Sequence, residues 1–297
     1  MKRAILYLIL PALLFYSCKK EHSTGTNPAQ KTYKVSLTLS GFSASVLGST
    51  PGKQTLSGVK TDADVPIASY IKRLSYAVYD ASGNLVHTIS KDSTYVDLGS
   101  VTDSLASGTY TVLVGGGQAN FASNFATSTL ATATVTSGWQ DTFFATATLT
   151  VSGSNVSQTI SLSRIVGKLT LKVLDTIPPN ANSISMALST DYAYYSAASL
   201  GPITAMNNVA ETFGVAASAK GQPNFTRSID VLNTIQPFTV TITCYDASNN
   251  IIAQRVVQNV SVAVDTQTVL SGDLFNSGSG INPGLNLGTG TPIVAQF

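Results

Sequence analysis

The residues that could do chemistry in this sequence are few, and their spacing does not group them. His87 is the only histidine after residue 30, so a zinc site or a Ser-His-Asp triad would have to be built around this one side chain. No G-x-S-x-G motif presents a nucleophilic serine, and most aspartates stand in turns beside Gly, Ser or Asn, where turn formation explains them. The sequence therefore predicts no catalytic residue, no metal site and no cofactor.

The start of the chain predicts a different reaction, the attachment of lipid to Cys18. Met1-Lys2-Arg3 is basic, residues 4–16 are apolar, and the small Ser17 precedes Cys18, an order typical of a bacterial signal peptide. The apolar run is too short to span a hydrocarbon core of about 30 Å. The junction resembles a bacterial lipobox, which implies cleavage before Cys18, palmitate-type acylation of its thiol and a lipid anchor in the outer membrane. Residues 18–30 read as a tether, and the charges after the cysteine resemble the export signal of cell-surface lipoproteins.

A second group of residues could bind a partner through aromatic rings. Tyr192, Tyr194 and Tyr195 lie close together in the sequence, and Trp139 is the only tryptophan. Aromatic faces stack on sugar rings or on a protein partner, but alternate tyrosines of a strand can equally fill one buried face. Exposure of Tyr192, Tyr194 or Trp139 together on one rim would favour glycan capture, whereas their burial would favour a role in fimbrial assembly.

The composition favours an extracellular β-protein. Hydrophobic residues make up 43% of the chain and charged residues only 11%, with two glutamates in all. A helical cytoplasmic enzyme normally carries more Glu, Lys and Arg. The net charge is +2 and no basic cluster follows the first twenty residues, so nucleic acid is excluded as a partner. The chain has two cysteines, so lipidation of Cys18 would leave Cys244 without a disulfide partner. We expect Cys244 to be buried on a strand.

From residue 31 onward, apolar and polar residues alternate in short runs separated by Gly, Asn, Asp, Ser and Pro. Alternation with period two predicts half-buried strands, and short strands at this spacing predict sandwiches or barrels. The runs that carry this pattern most clearly are Val35–Leu39, Leu74–Val78, Tyr110–Val114, Ile160–Leu162, Leu169–Val173, Ile184–Leu188, Val240–Cys244 and Val260–Val264.

One octapeptide recurs along the chain. Tyr79–Val86 (YDASGNLV) reappears as Tyr245–Ile252 (YDASNNII). Its Asp, Ser, Gly and Asn residues favour tight turns, so each copy predicts a hairpin loop. The two copies indicate either two related modules or independent use of the same turn chemistry. We place an N-terminal sandwich at 31–163, a C-terminal sandwich at 164–275, and a flexible tail rich in Gly, Ser and Asn at 276–297.

Three segments together resemble the fimbrillin superfamily of Bacteroidetes, and most closely the lipoproteins that anchor or cap minor fimbriae: Leu74–Val86, Leu105–Val114 and Ile160–Asn180. The third segment is the most specific, because Leu162, Ser163, Arg164 and Lys168 match the family's connection from the first domain to the second. The resemblance implies two tandem transthyretin-like Greek-key β-sandwiches, assembly with other fimbrial subunits by β-strand addition, and no enzymatic activity. Shaft pilins are released by cleavage after an arginine, and residues 31–60 contain none, which favours an uncleaved anchor, accessory or tip subunit.

Two functions therefore follow as expectations. The first is a surface-exposed fimbrial lipoprotein with a structural or adhesive role, and the alternative is a glycan-binding lipoprotein of a polysaccharide-uptake system. For assembly, uncharged strands such as Thr239–Cys244 and Val260–Val264 are predicted to offer free edges. The first strand, Tyr33–Leu39, or the C-terminal Pro292–Phe297 is predicted to act in strand exchange.

Overall fold

The computed structural model describes residues 30–40 and 67–276, and in this part the chain is almost entirely β-structure. The predicted signal peptide, Cys18, most of the tether and the tail after Asn276 lie outside the described residues. The described residues include four short 3-10 helices, at Ile67–Ser69, Phe125–Thr127, Leu130–Thr132 and Ala217–Ala219. The strands are β1 (Thr32–Ser40), β2 (Arg73–Tyr79), β3 (Leu85–Asp92), β4 (Ser100–Ala106), β5 (Gly108–Gly117), β6 (Ala122–Ser123), β7 (Thr134–Thr136), β8 (Thr142–Val151), β9 (Val156–Ser161), β10 (Ser163–Arg164), β11 (Gly167–Val173), β12 (Ser183–Ser196), β13 (Gly201–Gly214), β14 (Phe225–Val231), β15 (Phe238–Tyr245), β16 (Ile251–Val260) and β17 (Gln267–Gly272).

The first sandwich packs two sheets around one core. Sheet A has the strand order β4-β1-β9, and sheet B has the order β10-β8-β5-β2-β3. The alternating residues of β1, among them Val35 and Leu37, point into the core and meet Leu74, Tyr76 and Val78 of β2 there. Burying an aliphatic side chain of this size contributes about 1.5–3 kcal/mol, so the alternation seen in the sequence stabilises this pairing of sheets.

The second sandwich repeats this plan. Sheet D has the order β14-β11-β17, and β16-β15-β12-β13 form the main part of sheet C. In each sandwich the first strand is central in a three-stranded sheet. It is antiparallel to one neighbour and parallel to the other: β1 lies between β4 and the parallel β9, and β11 lies between β14 and the parallel β17. The predicted all-β class of two tandem sandwiches is thus confirmed, and the two halves share one topology.

The repeated octapeptide, however, does not occupy equivalent places in the two sandwiches. The first copy links β2 to β3, whereas the second links β15 to β16, which correspond to β5 and β8. In both copies the aspartate accepts hydrogen bonds from the backbone two and four residues later, so the turn chemistry is the same. Independent use of one turn motif explains the repeat, and the relation between the modules rests on topology instead.

A short segment of the first half joins the sheet of the second half. β6 and β7 pair with each other, and β7 pairs with the end of β12 at Tyr195 and Ser196. A third hydrophobic cluster fills the space beside them, with Phe121, Phe125 and Val135 among its buried members. We therefore keep the boundary near residue 163 as a proposal, with one sandwich before it in the chain and the other after it.

Arg164 lies at this proposed division and holds three segments together. Its guanidinium donates two hydrogen bonds to Asp141, at 2.6 and 3.0 Å, and another to Asp265, and it lies 5.1 Å from the ring centre of Phe143. Burial alone would lower the pKa of Arg164, but the hydrogen bonds and charges of the two carboxylates outweigh it and raise the pKa. We call Arg164, Asp141 and Asp265 the junction cluster.

Candidate functional site

The edges of the four sheets differ in how well they are protected against pairing with another strand. A free edge offers unpaired N–H and C=O groups, and proteins blunt such edges with charges, prolines or irregular backbone. β3 and β14 carry charged residues, and β16 carries Arg255. β13 carries Pro202 and Glu211, with positive φ angles at Thr204 and Asn208. These edges are therefore poor templates for an incoming strand.

The edge of β8 has none of these protections. β10 pairs with it only at Phe143 and Phe144, and no other described strand pairs with this edge. We call the remaining stretch, Ala145–Val151, the free edge of β8. It contains neither charge nor proline nor glycine. β9 and β17 are uncharged edges as well, but each is only six residues long.

The backbone groups that point away from the free edge of β8 can be identified. The Ile165 N–H donates to the Thr142 carbonyl at 3.0 Å, so the peptide groups of Thr142 face outward from sheet B. Because these directions alternate along an antiparallel strand, the N–H and C=O groups of Thr146, Thr148 and Thr150 face outward too. Their side chains are exposed, so the outer face of this strand is accessible.

An apolar groove lies next to the free edge. Three large hydrophobic side chains that line it are exposed: Leu200 is 54% exposed, Ile235 61% and Val264 46%. Phe144, Ala145 and Thr146 contribute the β8 side of its wall, and the groove has a volume of about 470 Å³. Exposed apolar side chains gathered around one groove are typical of a protein interaction site.

The two segments predicted from sequence to be free edges do not serve as such edges. Thr239–Cys244 lies inside β15, which pairs with β12 on one side and β16 on the other. That prediction was wrong, because local absence of charge does not distinguish an edge strand from an interior one. In the second segment, only Val260 belongs to an edge strand, β16, and residues 261–264 lie outside the strands. The first strand is central in sheet A, with neighbours on both sides.

Three of the four aromatic residues singled out in the sequence come together in a second groove. Trp139, Tyr192 and Tyr194 line this aromatic groove, in which Tyr194 is 44% exposed and the other two are half-buried. Tyr195 points elsewhere and packs against Phe144, with 5.5 Å between ring centres. Both grooves are thus rimmed by residues of β12, whose alternate side chains face different surroundings.

His87 has a partner that sequence reasoning missed. Its Nδ1 lies 2.6 Å from Oδ1 of the buried Asp103, which also accepts a hydrogen bond from Tyr76 at 3.1 Å. Burial and the charge of Asp103 raise the pKa of Tyr76, so this phenol stays protonated. No nucleophile hydrogen-bonds to the imidazole within the described residues, and the pair ties a surface histidine to a buried aspartate.

The structure also shows the position of the free cysteine and allows a search for metal sites and membrane-spanning helices. Cys244 is fully buried on β15, and burial raises the pKa of its thiol to about 11. Residues 30–40 and 67–276 contain no group of three or more His, Cys, Asp or Glu side chains arranged to hold a metal ion. Within the same residues, no helix has the length and apolar character to cross a membrane.

Comparison with known proteins agrees with this architecture. A crystal structure of a candidate adhesin from Bacteroides thetaiotaomicron superposes with a TM-score of 0.52 at 10% identity, covering 82% of this chain and 92% of that chain. A candidate adhesin from Bacteroides ovatus gives 0.50 at 10% identity, covering 76% of this chain and 82% of that chain. At such identities the likeness shows the fold alone.

The sequence comparisons identify the family. No curated protein matches the chain at a significant level. The family described as fimbrillin-A associated anchor proteins Mfa1 and Mfa2 matches residues 55–252, which is more than half of the chain. The predicted resemblance is confirmed, and the chain belongs to this family of fimbrial anchor proteins.

Proposed function

We propose that this protein is an accessory or anchor subunit of a fimbria, tethered to the outer membrane by lipid on Cys18 and joined to a neighbouring subunit by β-strand addition at β8. Its role is structural and adhesive, and no catalytic step is assigned to it. The observation that carries the proposal is the free edge of β8, an uncharged stretch of seven residues beside an apolar groove.

An incoming strand would complete sheet B at this edge. It would pair with the outward N–H and C=O groups of Thr146, Thr148 and Thr150, six groups in all. Main-chain hydrogen bonds of this kind give affinity, and pockets for alternate side chains give specificity. Here the groove lined by Leu200 and Ile235 would take an apolar side chain of the partner. The partner is therefore an extended segment of a fimbrial subunit with apolar residues at alternate positions.

The first strand supports an anchor or accessory role over that of a shaft subunit. β1 begins at Thr32, directly after the predicted tether, and makes a ladder with β4 and another with β9. Lipid on Cys18 would thus be connected through a short tether to the centre of a folded sandwich. The absence of arginine from residues 31–60 leaves no cleavage site there for a protease that cuts after arginine.

A charge placed on the free edge tests this proposal. Thr148→Lys adds a positive charge to the exposed face of an edge strand, which disfavours pairing with another strand. Thr38→Lys is the matched control, since Thr38 is also exposed but lies on β1, an interior strand. Both variants would be expressed in fimbriated cells that lack the wild-type copy, and fimbrial subunits recovered with the protein after mild cross-linking would be quantified.

We expect Thr148→Lys to lose most of the co-purified fimbrial subunit while Thr38→Lys retains it. Circular dichroism and thermal unfolding must show that both variants fold as the wild type does. Equal recovery with the two folded variants would exclude the free edge of β8 as the contact. The C-terminal Pro292–Phe297, which lies outside the described residues, stays a prediction as a donor strand, and truncation after Asn276 would test it separately.

A further inference from the structure

The aromatic groove is built differently from the apolar groove beside β8. It is a shallow, open groove lined by the segment before β8, by β12 and by β13, and its volume of about 500 Å³ lies within the range of small-molecule sites. Its side chains combine three aromatic rings with two apolar residues, Met206 and Val209. Such a lining with few polar groups is typical of a ligand site.

The backbone around Trp139 is unusual and specifically held. Gly138 and Trp139 both have positive φ angles, 55° and 59°. Bulky residues rarely adopt this left-handed conformation, which persists only where the surroundings impose it and which concentrates at functional sites. The Trp139 N–H donates to Oγ of the buried Ser137 at 3.2 Å, which fixes the turn.

A side-chain contact holds one of the aromatic rings, and a buried carboxyl lies within β12 next to the residues of the groove. Burial raises the pKa of Asp191, and hydrogen bonds to its Oδ1 from the backbone amides of Leu232 and Asn233 oppose the rise. The Tyr192 hydroxyl accepts a hydrogen bond from Nε2 of Gln236 at 3.0 Å. One ring of the groove and the backbone turn that carries another are therefore held before a ligand binds, which lowers the entropy cost of binding.

The charges of the groove select the class of ligand. Among residues 30–40 and 67–276, Glu211 is the one charged residue that lines it, and no Lys, Arg or His of this part does, so the described lining offers no counter-charge to a phosphate, sulfate or uronic acid. The strands β12 and β13 are already paired with each other along the groove, so no free ladder is available there to a peptide. A neutral ligand with C–H faces and hydroxyl groups fits both conditions.

We propose that the aromatic groove binds one or two rings of a neutral saccharide. A pyranose ring stacks its C–H face on Trp139 and Tyr194, because these hydrogens are attracted to the negative face of an aromatic ring. The Glu211 carboxylate accepts hydrogen bonds from the sugar hydroxyls, and its negative charge makes these hydrogen bonds stronger. The inference names a ligand class for the adhesive role proposed above, but it does not use the β8 edge, so either proposal can fail alone.

Trp139 makes this proposal directly measurable, because it is the only tryptophan in the chain. The full-length protein would be titrated with lacto-N-tetraose as a host-type neutral glycan, and with mannohexaose and xylohexaose as microbial or plant-type glycans. A heparin hexasaccharide serves as the anionic comparison. We expect a saturable change in tryptophan emission with at least one neutral probe and none with heparin, and the identity of the active probe distinguishes the two sources.

Variants separate stacking from a nonspecific effect. Tyr194→Ala is expected to weaken binding about tenfold, and Glu211→Gln is expected to weaken it as well. Tyr95→Ala is the matched control, since Tyr95 is 50% exposed and lies outside the groove. Calorimetry repeats the measurement without relying on fluorescence. Flat emission and no heat with every neutral probe up to about 10 mM, or affinity unchanged in Tyr194→Ala, would overturn the proposal.

Discussion

Replacing Arg164 with methionine should destabilise the protein by about 3 kcal/mol, because it leaves two carboxylates without their cation. The Arg164 side chain is 7% exposed, and those of Asp141 and Asp265 are 17% and 21% exposed. Removing one partner of a buried ion pair typically costs about 3–5 kcal/mol, most of which is the penalty for the orphaned charge. Since both carboxylates keep some contact with water, we expect the lower end of this range.

The assay is equilibrium unfolding in urea, followed by circular dichroism and by the emission of Trp139, which lies close to Asp141 in the chain. The triple variant with Asp141→Asn and Asp265→Asn should recover part of the loss, since it removes the orphaned charges. Arg227→Met is the control: Arg227 lies 4.6 Å from the ring centre of Phe225 and donates to a backbone carbonyl, so its loss should stay below about 1 kcal/mol.

A loss below about 1 kcal/mol in Arg164→Met, or no recovery in the triple variant, would refute the reasoning about the junction cluster. The result matters for function because Arg164 matches a position that the family has at the connection between its two sandwiches. The structure adds the physical reason. One guanidinium binds a residue that precedes β8 and another that precedes β17.

Three further predictions concern single residues. Burial raises the pKa of Asp230 to about 6, against the opposing charge of Lys168, while an unfolded aspartate titrates near 3.9, so the stability from its neutral form should fall as pH rises from about 4 to 6. Asp230→Asn should flatten that fall by about 2 kcal/mol between pH 4.5 and pH 7 in urea unfolding, and an unchanged slope would contradict the assignment. Cys244 should not react with a thiol reagent at pH 8 until the protein unfolds, because it is buried and its thiol is protonated, and rapid labelling of native protein would exclude this. Cys18→Ser should move the protein from the membrane fraction to the soluble fraction or leave its precursor unprocessed, and unchanged fractionation and mass would contradict lipid anchoring.

The strands could be predicted from sequence because their pattern is local. The alternation at Val35–Leu39 and Leu169–Val173 lies within β1 and β11, and both strands bury the apolar residues that the pattern assigns to the core. Burial of one strand face leaves its mark on every second residue, so no knowledge of the partner strand is needed. The fold class therefore followed from periodicity, and the resemblance added the topology.

Features that depend on distant pairing could not be predicted in the same way. Nothing in Thr239–Cys244 indicates that β12 and β16 flank it, and nothing in Ala145–Val151 indicates that one of its sides stays open. The same holds for the pairing of His87 with Asp103, which brings β3 of one sheet to β4 of another. The aromatic groove was partly visible in the spacing of Tyr192 and Tyr194, but the position of Trp139 beside them depends on a turn with positive φ angles.

The most direct test of the account is to ask what lies against β8 in the assembled fimbria. A photoreactive phenylalanine analogue would be placed at Thr148 of the full-length lipoprotein in fimbriated cells, and at Thr38 as the control, and the cross-linked peptides would be sequenced after irradiation. We predict a product at Thr148 that joins the free edge to an extended segment of a fimbrial subunit with apolar residues at alternate positions, and no such product at Thr38. Fimbriae that form normally while Thr148 yields no subunit cross-link, or the same product from both positions, would contradict it.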